Sequence, residues 1–147
     1  MFTRIVVGTD GSETAAEAVR QAIDLAKISG AELSIVSAYA PVSGRRVKGE
    51  QLDAPADVQY EIGPREDVNL VLDAAAAEAR KEGVGVQTHP LEADPADAIL
   101  NVAEETKADL IVVGNKGMTG ARRYLLGSVP NNVSHHAPCS VLVVRTT

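Results

Sequence analysis

Residues 114–128 read GNKGMTGARRYLLGS, a G-x2-G-x9-G-S segment that follows the apolar run Leu110–Val113 and precedes a helix-like stretch. A glycine at the tip of a strand lets the backbone turn sharply and approach a ligand, and a glycine-serine pair opening a helix aims amide N–H groups and a hydroxyl outward. Gly114, Gly117, Gly127 and Ser128 are therefore candidates for a phosphate cradle, with Ser128 reading equally as the N-cap of the helix that follows. The chain carries 14 Lys+Arg against 20 Asp+Glu, a net of −6, yet no acid follows Asp109, while Lys116, Arg122, Arg123 and Arg145 do. Residues 110–147 thus hold +4 and the preceding ones −10. One acid-free, glycine-rich basic segment in an acidic chain suits a small anion, whereas a nucleic-acid backbone asks for a broad positive face.

A second cluster, Thr9-Asp10-Gly11, follows another β-branched run. Asp10 repels phosphate but can accept hydrogen bonds from hydroxyl groups, and it reads equally as an acid of the turn that starts the helix. Catalytic groups do not stand out. The P-loop pattern G-x4-G-K-[ST] does not occur, so the lysine and hydroxyl that hold phosphates and magnesium in P-loop enzymes have no counterpart. His89 precedes Pro90 at a strand-to-loop edge. His135 and His136 close a helix, where a cation favours the dipole and neighbouring side chains diverge by about 100°, which ill suits joint metal binding. The expectation is no catalytic residue and no metal ligand.

The elements that position these residues follow from periodicity. Arg4–Gly8 and Ala31–Ala38 read as strands, and between them Ala15, Ala18, Val19, Ala22, Ile23 and Ala26 keep helical spacing, with Ser12 as cap and Gly30 past the end. Val68, Val71, Leu72, Ala75 and Ala79 mark a second helix closed by Gly83, and Val84–Thr88 a strand. Asp94-Pro95-Ala96-Asp97 opens a third helix, with Ala96, Ile99, Leu100 and Ala103 as its stripe. Residues 109–113 give a strand, 128–136 a short helix and 140–144 a last strand. Five strands alternating with four helices predict a parallel, doubly wound α/β sheet with right-handed crossovers. Ligands of such sheets sit outside the carboxyl ends of the strands, where Gly8–Gly11, Ala38-Tyr39 and Gly114 onward all fall. Residues 41–64 read as a long loop beside that cleft, with Arg45, Arg46 and Lys48 as solvated charge.

The 147 residues, 45% apolar, fit one domain over 1–147 with its own core. No apolar run reaches the ~18 residues of a membrane span, and the chain starts directly into a strand-like run, so a cytoplasmic protein without membrane contact is expected. Cys139 is the only cysteine, read as a small apolar residue at a strand start. Phe2, Tyr39, Tyr60 and Tyr124 are too few and scattered for base-stacking platforms, which also argues against nucleic acid.

Taken together, IVVGTDGS (5–12), DPADAIL (94–100), ADLIVVG (108–114) and the G-x2-G-x9-G-S segment resemble the universal stress protein family over essentially the whole chain, in its ATP-binding branch. The resemblance implies an open-twisted, three-layer, Rossmann-like sheet of order 3-2-1-4-5, a homodimer, and an adenine nucleotide as ligand. Carried onto this sequence, it places Asp10 at the adenosine end, the backbone of Ala38 at the adenine, and Gly114, Gly117, Gly127 and Ser128 around ribose and phosphate. The full candidate set adds Thr9, Lys116, Arg123 and Val129. The expected ligand is ATP, with any magnesium held mainly by the phosphates. Cyclic AMP is the alternative, because the LLGSVPNNVS run (125–134) resembles that of actinobacterial members that take it, and slow metal-dependent ATP hydrolysis is a further one. Homodimerisation is expected through the exposed β-branched edge Val141–Val144.

Overall fold

The computed structural model describes residues 1–40, 64–115 and 127–146. Five strands alternate with four helices along them: β1 (Arg4–Gly8), α1 (Glu13–Ser29), β2 (Glu32–Tyr39), α2 (Pro64–Lys81), β3 (Val86–Glu92), α3 (Pro95–Thr106), β4 (Leu110–Gly114), α4 (Ser128–His136) and β5 (Ser140–Val144). All pairings are parallel, and the strand order is β3-β2-β1-β4-β5. The predicted sheet is observed.

Both faces of the central strands are apolar because both are covered. On one face Ile5, Val7, Leu33, Ile35, Leu110 and Val112 meet α1 and α2 through Val19, Ile23, Val68 and Leu72. On the other, Val6, Val36, Ile111 and Val113 meet α3 and α4 through Ile99, Val102 and Val133. Winding from β1 outward to β3 puts α1 and α2 on the first face; winding back through β4 to β5 puts α3 and α4 on the second, since every crossover is right-handed.

Local chemistry ends the helices as the sequence predicts. The Ser12 hydroxyl accepts from Ala15 N–H at 3.1 Å, and Gly30 closes α1 at φ 72°. Asp94 Oδ2 accepts from Ala96 N–H at 3.1 Å, with Pro95 in the first turn. At the opposite sheet edge from the ligand end, the Asp109 carboxylate accepts from both Thr3 and Arg4 N–H groups and from the Thr3 hydroxyl, aligning β1 with β4. Partial burial pushes that carboxyl up, but the three donors outweigh it and hold it below its ordinary value.

Two expectations need correction. The third strand spans Val86–Glu92 rather than 84–88, so His89 and Pro90 lie inside it, opposite Val36 and Ser37. Proline is tolerated there because β3 is an edge strand with one unpaired side. Pro64 opens α2 instead of ending a loop, and residues 41–63, with Arg45, Arg46 and Lys48, lie outside the described residues. Cys139 is half-buried just before β5, packed near Val141 and Val143 on the α3/α4 side, and burial raises its thiol pKa. Among the described residues, no helix is long and apolar enough to cross a membrane.

His89 Nε2 is shut off from solvent with no hydrogen-bond partner among the described residues. Burial pushes its imidazole below the ordinary value, against a weaker pull from Glu105. The unfolded chain therefore binds this proton first, so acid favours unfolding from pH about 6.5 down to the lower folded value. Urea unfolding at pH 7.5 and 5.5 is expected to show a larger acid loss of stability for the native chain than for His89→Leu. Equal losses in the two proteins would remove His89 as the cause.

Candidate functional site

The winding direction reverses between β1 and β4, so no crossover covers the carboxyl ends of these two strands. A cavity of about 140 Å³ opens there. Its floor is apolar, built from Gly8, Val36, Val113 and Ile99, with Ala15, Ala38, Pro95, Val129 and Pro130 around it and Thr9, Asp10 and Ser12 on one wall. Gly8 is needed for closeness. A Cβ there would come within 2.5 Å of Ile99 Cδ1 and 3.0 Å of its Cγ1, so the absent side chain is what lets α3 rest on the strand end.

Strand length decides what the backbone offers. β1 pairs with β2 only as far as Gly8 opposite Val36, and the last bond between them runs from Thr9 N–H to the Val36 carbonyl at 2.9 Å. β2 continues to Tyr39 along β3. Backbone groups alternate sides along a strand, so Ala38, two residues past Val36, turns its N–H and C=O toward the β1 side, beyond the point where β1 ends. A donor and an acceptor stand side by side there, next to the apolar floor. Arg65 at the start of α2 ties down this strand end, donating to the Tyr39 hydroxyl at 2.7 Å.

The β1–α1 turn is held by its own side chains. Asp10 Oδ1 accepts from Ser12 N–H at 2.9 Å, and Thr9 Oγ1 accepts from Gly11 N–H at 3.1 Å. Asp10 is exposed at the mouth of the cavity. Across from it, Gly127 N–H donates to the Asn115 carbonyl at 3.0 Å, and Asn115 is itself fixed by Val144 and Thr146. That bond brings the two ends of the glycine segment together, setting Gly114 beside Gly127 and Ser128.

Three helix N-termini surround the cavity, and their electrostatics differ. The first turn of α3 carries Asp97 and is capped by Asp94; that of α1 has Glu13 and the Ser12 cap. α4 has neither. Its N-cap is Gly127, with no side-chain hydrogen bond, and its first turn holds no acid. Ser128 is the first helical residue, so its hydroxyl is not the cap that glycine-serine spacing also allowed. Among the described residues, nothing in the first turn of α4 offsets its positive end.

The universal stress protein family model matches residues 1–145. The chain belongs to the universal stress protein family. It is 39% identical to the universal stress protein Rv1636 of Mycobacterium tuberculosis over 99% of this chain and 98% of that protein. Among solved structures, a universal stress protein in complex with cAMP superposes with a TM-score of 0.73 at 33% identity, covering 99% of this chain and 98% of that one. The universal stress protein from Archaeoglobus fulgidus in complex with dAMP superposes with a TM-score of 0.68 at 25% identity, covering 97% and 98%.

Of the expected site residues, Thr9, Asp10, Ala38, Gly114 and Val129 line the cavity, and Gly127 and Ser128 adjoin it at the start of α4. Lys116, Gly117 and Arg123 lie outside the described residues. Sequence reading missed Ile99, Pro95 and Ala15 as cavity walls. Their only signal was a place in the first turns of helices that follow strand ends. Among the described residues, no group of three His, Cys, Asp or Glu could hold a metal.

The Gly8–Ile99 contact is testable without any ligand. Gly8→Ala should lower stability by about 1–3 kcal/mol through overpacking. In an Ile99→Ala background the same change should cost at least about 1 kcal/mol less. Urea melts of the four proteins measure this coupling, and strictly additive losses would show that Gly8 and Ile99 do not constrain one another.

Proposed function

We propose that this universal stress protein binds an adenine nucleotide in the cleft between β1 and β4 and acts as a nucleotide-dependent regulator in the stress response its family is named for. The observation that carries the reading is the N–H and C=O pair of Ala38, which β1 stops short of pairing and no other described strand reaches, beside an apolar slot, with Asp10 and the acid-free N-terminus of α4 farther along one cleft. A planar base fills the slot between Val36, Ile99 and Val113, and its polar edge meets the Ala38 backbone. Ribose hydroxyls donate to Asp10. Phosphate sits on the N–H groups of Gly127 and Ser128, where the helix dipole favours negative charge. The complexes of the two solved relatives with cAMP and dAMP support an adenine nucleotide as the ligand.

We take ATP as the ligand, with magnesium carried mainly by its phosphates and Lys116 and Arg123 as the basic residues available for the outer ones. The alternative is cyclic AMP, favoured by the complex of the 33% identical relative and by the presence of one helix terminus, rather than several, free of its own acid. The nucleotide is held rather than consumed; hydrolysis, if measured, would be slow. The cytoplasm is the compartment that the lone, half-buried Cys139 fits, since its reduced thiol asks for no oxidising surroundings.

The molecule also acts as a homodimer in this reading. Val144 directs its carbonyl inward to Asn115 N–H, so Val141 and Val143 present their backbone groups at the open edge of β5. Leu142 is exposed beside them. Pairing of two such edges satisfies both.

Mass spectrometry of the nucleotide that stays bound through gel filtration, followed by competition of ATP against cyclic AMP, should identify an adenine nucleotide. Asp10→Asn keeps the acceptor for Ser12 N–H and removes the second carboxylate acceptor. It should weaken binding about 10-fold or more, as expected for a hydrogen bond to a charged group. Unchanged affinity would remove Asp10 from the sugar end, and no bound or bindable nucleotide would sink the whole reading. For the dimer, sedimentation should give twice the monomer mass at micromolar concentration and a monomer for Val143→Pro, whose lost N–H faces away from β4. A native chain that sediments as a monomer would refute the edge pairing.

A further inference from the structure

A second cavity, of about 360 Å³, lies on the other face of the sheet, between α1 and α2. On α2, Val68, Leu72, Ala76 and Ala79 are buried toward the strands, as an amphipathic helix requires. A second stripe, Leu70, Val71, Ala74 and Glu78, turns toward α1 instead and lines the groove with Ala16 and Arg20. Of its apolar members Leu70 and Ala74 are exposed and Val71 is half-buried. Leu70 is 69% exposed, in contrast with the fully buried Leu72 two residues on.

The rim is acidic. Arg20 donates to the Glu17 carboxylate, and Glu78 and Glu13 act on the same guanidinium. Three carboxylates around one guanidinium leave a net −2 at this end of the groove. Between Glu13 and Asp24 α1 has no other base than Arg20, and α2 has none from Glu66 to Ala79 while adding Asp67 and Asp73. Both walls are helices whose backbone groups are already paired, so no strand can add to them. Alanines at 16 and 74 keep the walls low enough for a third helix to lie at the usual interaxial distance of about 8–10 Å.

We propose that the α1/α2 groove is a docking site for a basic amphipathic helix of a partner protein. Apolar side chains one turn apart on that helix cover Leu70, Val71 and Ala74, and its Lys or Arg residues meet Glu78 and Glu17. This is helix-in-groove recognition, with anchors at helical spacing and charge fixing the register. The groove shares Thr9 and Ser12 with the nucleotide cleft, but its apolar anchors and Glu78 are on α2, so peptide binding to the nucleotide-free chain decides it independently of the nucleotide reading.

The test uses the full chain without nucleotide and two fluorescent peptides of about 18 residues, long enough to form a helix. Both carry Leu at helical spacing; one has Lys and the other Glu at the remaining positions. Anisotropy should show micromolar binding of the Lys peptide, at least about tenfold tighter than the Glu peptide. Leu70→Ser and Glu78→Lys should each weaken it about fivefold or more, while Ile28→Ser and Glu104→Lys, exposed on other surfaces, should leave it unchanged. Amide shifts in NMR should centre on Ala16, Leu70 and Ala74. Equal binding of both peptides, insensitivity to Leu70 and Glu78, or shifts centred on β5 or on Ala38, Ile99 and Val129 would overturn the proposal. So would two other outcomes: a change of oligomeric mass in Leu70→Ser, which would give the groove to a second copy, or tighter peptide binding when Arg45, Arg46 and Lys48 are made serine, which would give it to the chain's own basic run.

Discussion

The structure depends on one topological constraint: a central parallel strand, β1, from which the chain winds first one way and then the other. Right-handed crossovers put α1 and α2 on one face and α3 and α4 on the opposite one. Nothing then bridges the carboxyl ends of β1 and β4. The cleft is a consequence of the winding, and the residues that line it are those that happen to end strands or begin helices there. Register adds the second half of the geometry. Because β1 stops at Gly8 while β2 runs on to Tyr39, the Ala38 amide and carbonyl are left facing the gap. A longer β1 would pair them and close the site.

Stability and function draw on different parts of the same strands. Val6, Val7, Ile35, Val36, Ile111 and Val112 are wholly buried, each contributing about 1.5–3 kcal/mol by removal from water, and they hold the sheet between its helices. The last residues of β1 and β4 do not share that burial. Gly8 and Gly114 are only half-buried and carry no side chain, which exchanges packing for access. The helix ends show a similar division. α1 and α3 satisfy first-turn N–H groups with Ser12 and Asp94, whereas α4 starts on Gly127 with neither a side-chain cap nor an acid in its first turn.

How much of this the sequence revealed follows from the range of each interaction. Caps and stripes are local, and Ser12, Gly30, Asp94-Pro95 and the α1 spacing announced them. Parallel strands followed from the alternation of elements, and their order from the family resemblance. The third strand was misplaced because Pro90 reads as a breaker, and only its position on an edge, a non-local fact, makes it compatible with a strand. Ile99 read as an ordinary core residue of α3. It is one, but its side chain is also the floor of the cleft, set by contact with Gly8 some ninety positions earlier in the chain. Ser128 was open to two readings at sequence level, and the backbone angles of Gly127 exclude the capping one. Of the charged residues that suggested an anion site, Lys116 and Arg123 belong to the segment outside the described residues, so the case for phosphate rests on the helix terminus instead.

The two cavities are on opposite faces, yet one short turn walls both. Thr9 and Ser12 line the cleft and the groove alike. Between them Gly11 adopts φ 85°, a conformation that side chains rarely accept, and a Cβ there would lie 2.7 Å from Val71 Cγ2. The turn is thus pressed against α2 at the same place where its Asp10 and Thr9 hydrogen bonds shape the cleft. A ligand that displaced it from one side would alter the wall of the other, because Thr9 and Ser12 belong to both and the Asp10–Ser12 bond ties the carboxylate to the N-cap of α1. Two binding events that each move this turn are energetically coupled, and the coupling is reciprocal: whatever one ligand does to the affinity of the second, the second does to the first. Rigid core on both faces makes the turn the compliant element, since the buried strands on either side of it have no room to share the displacement.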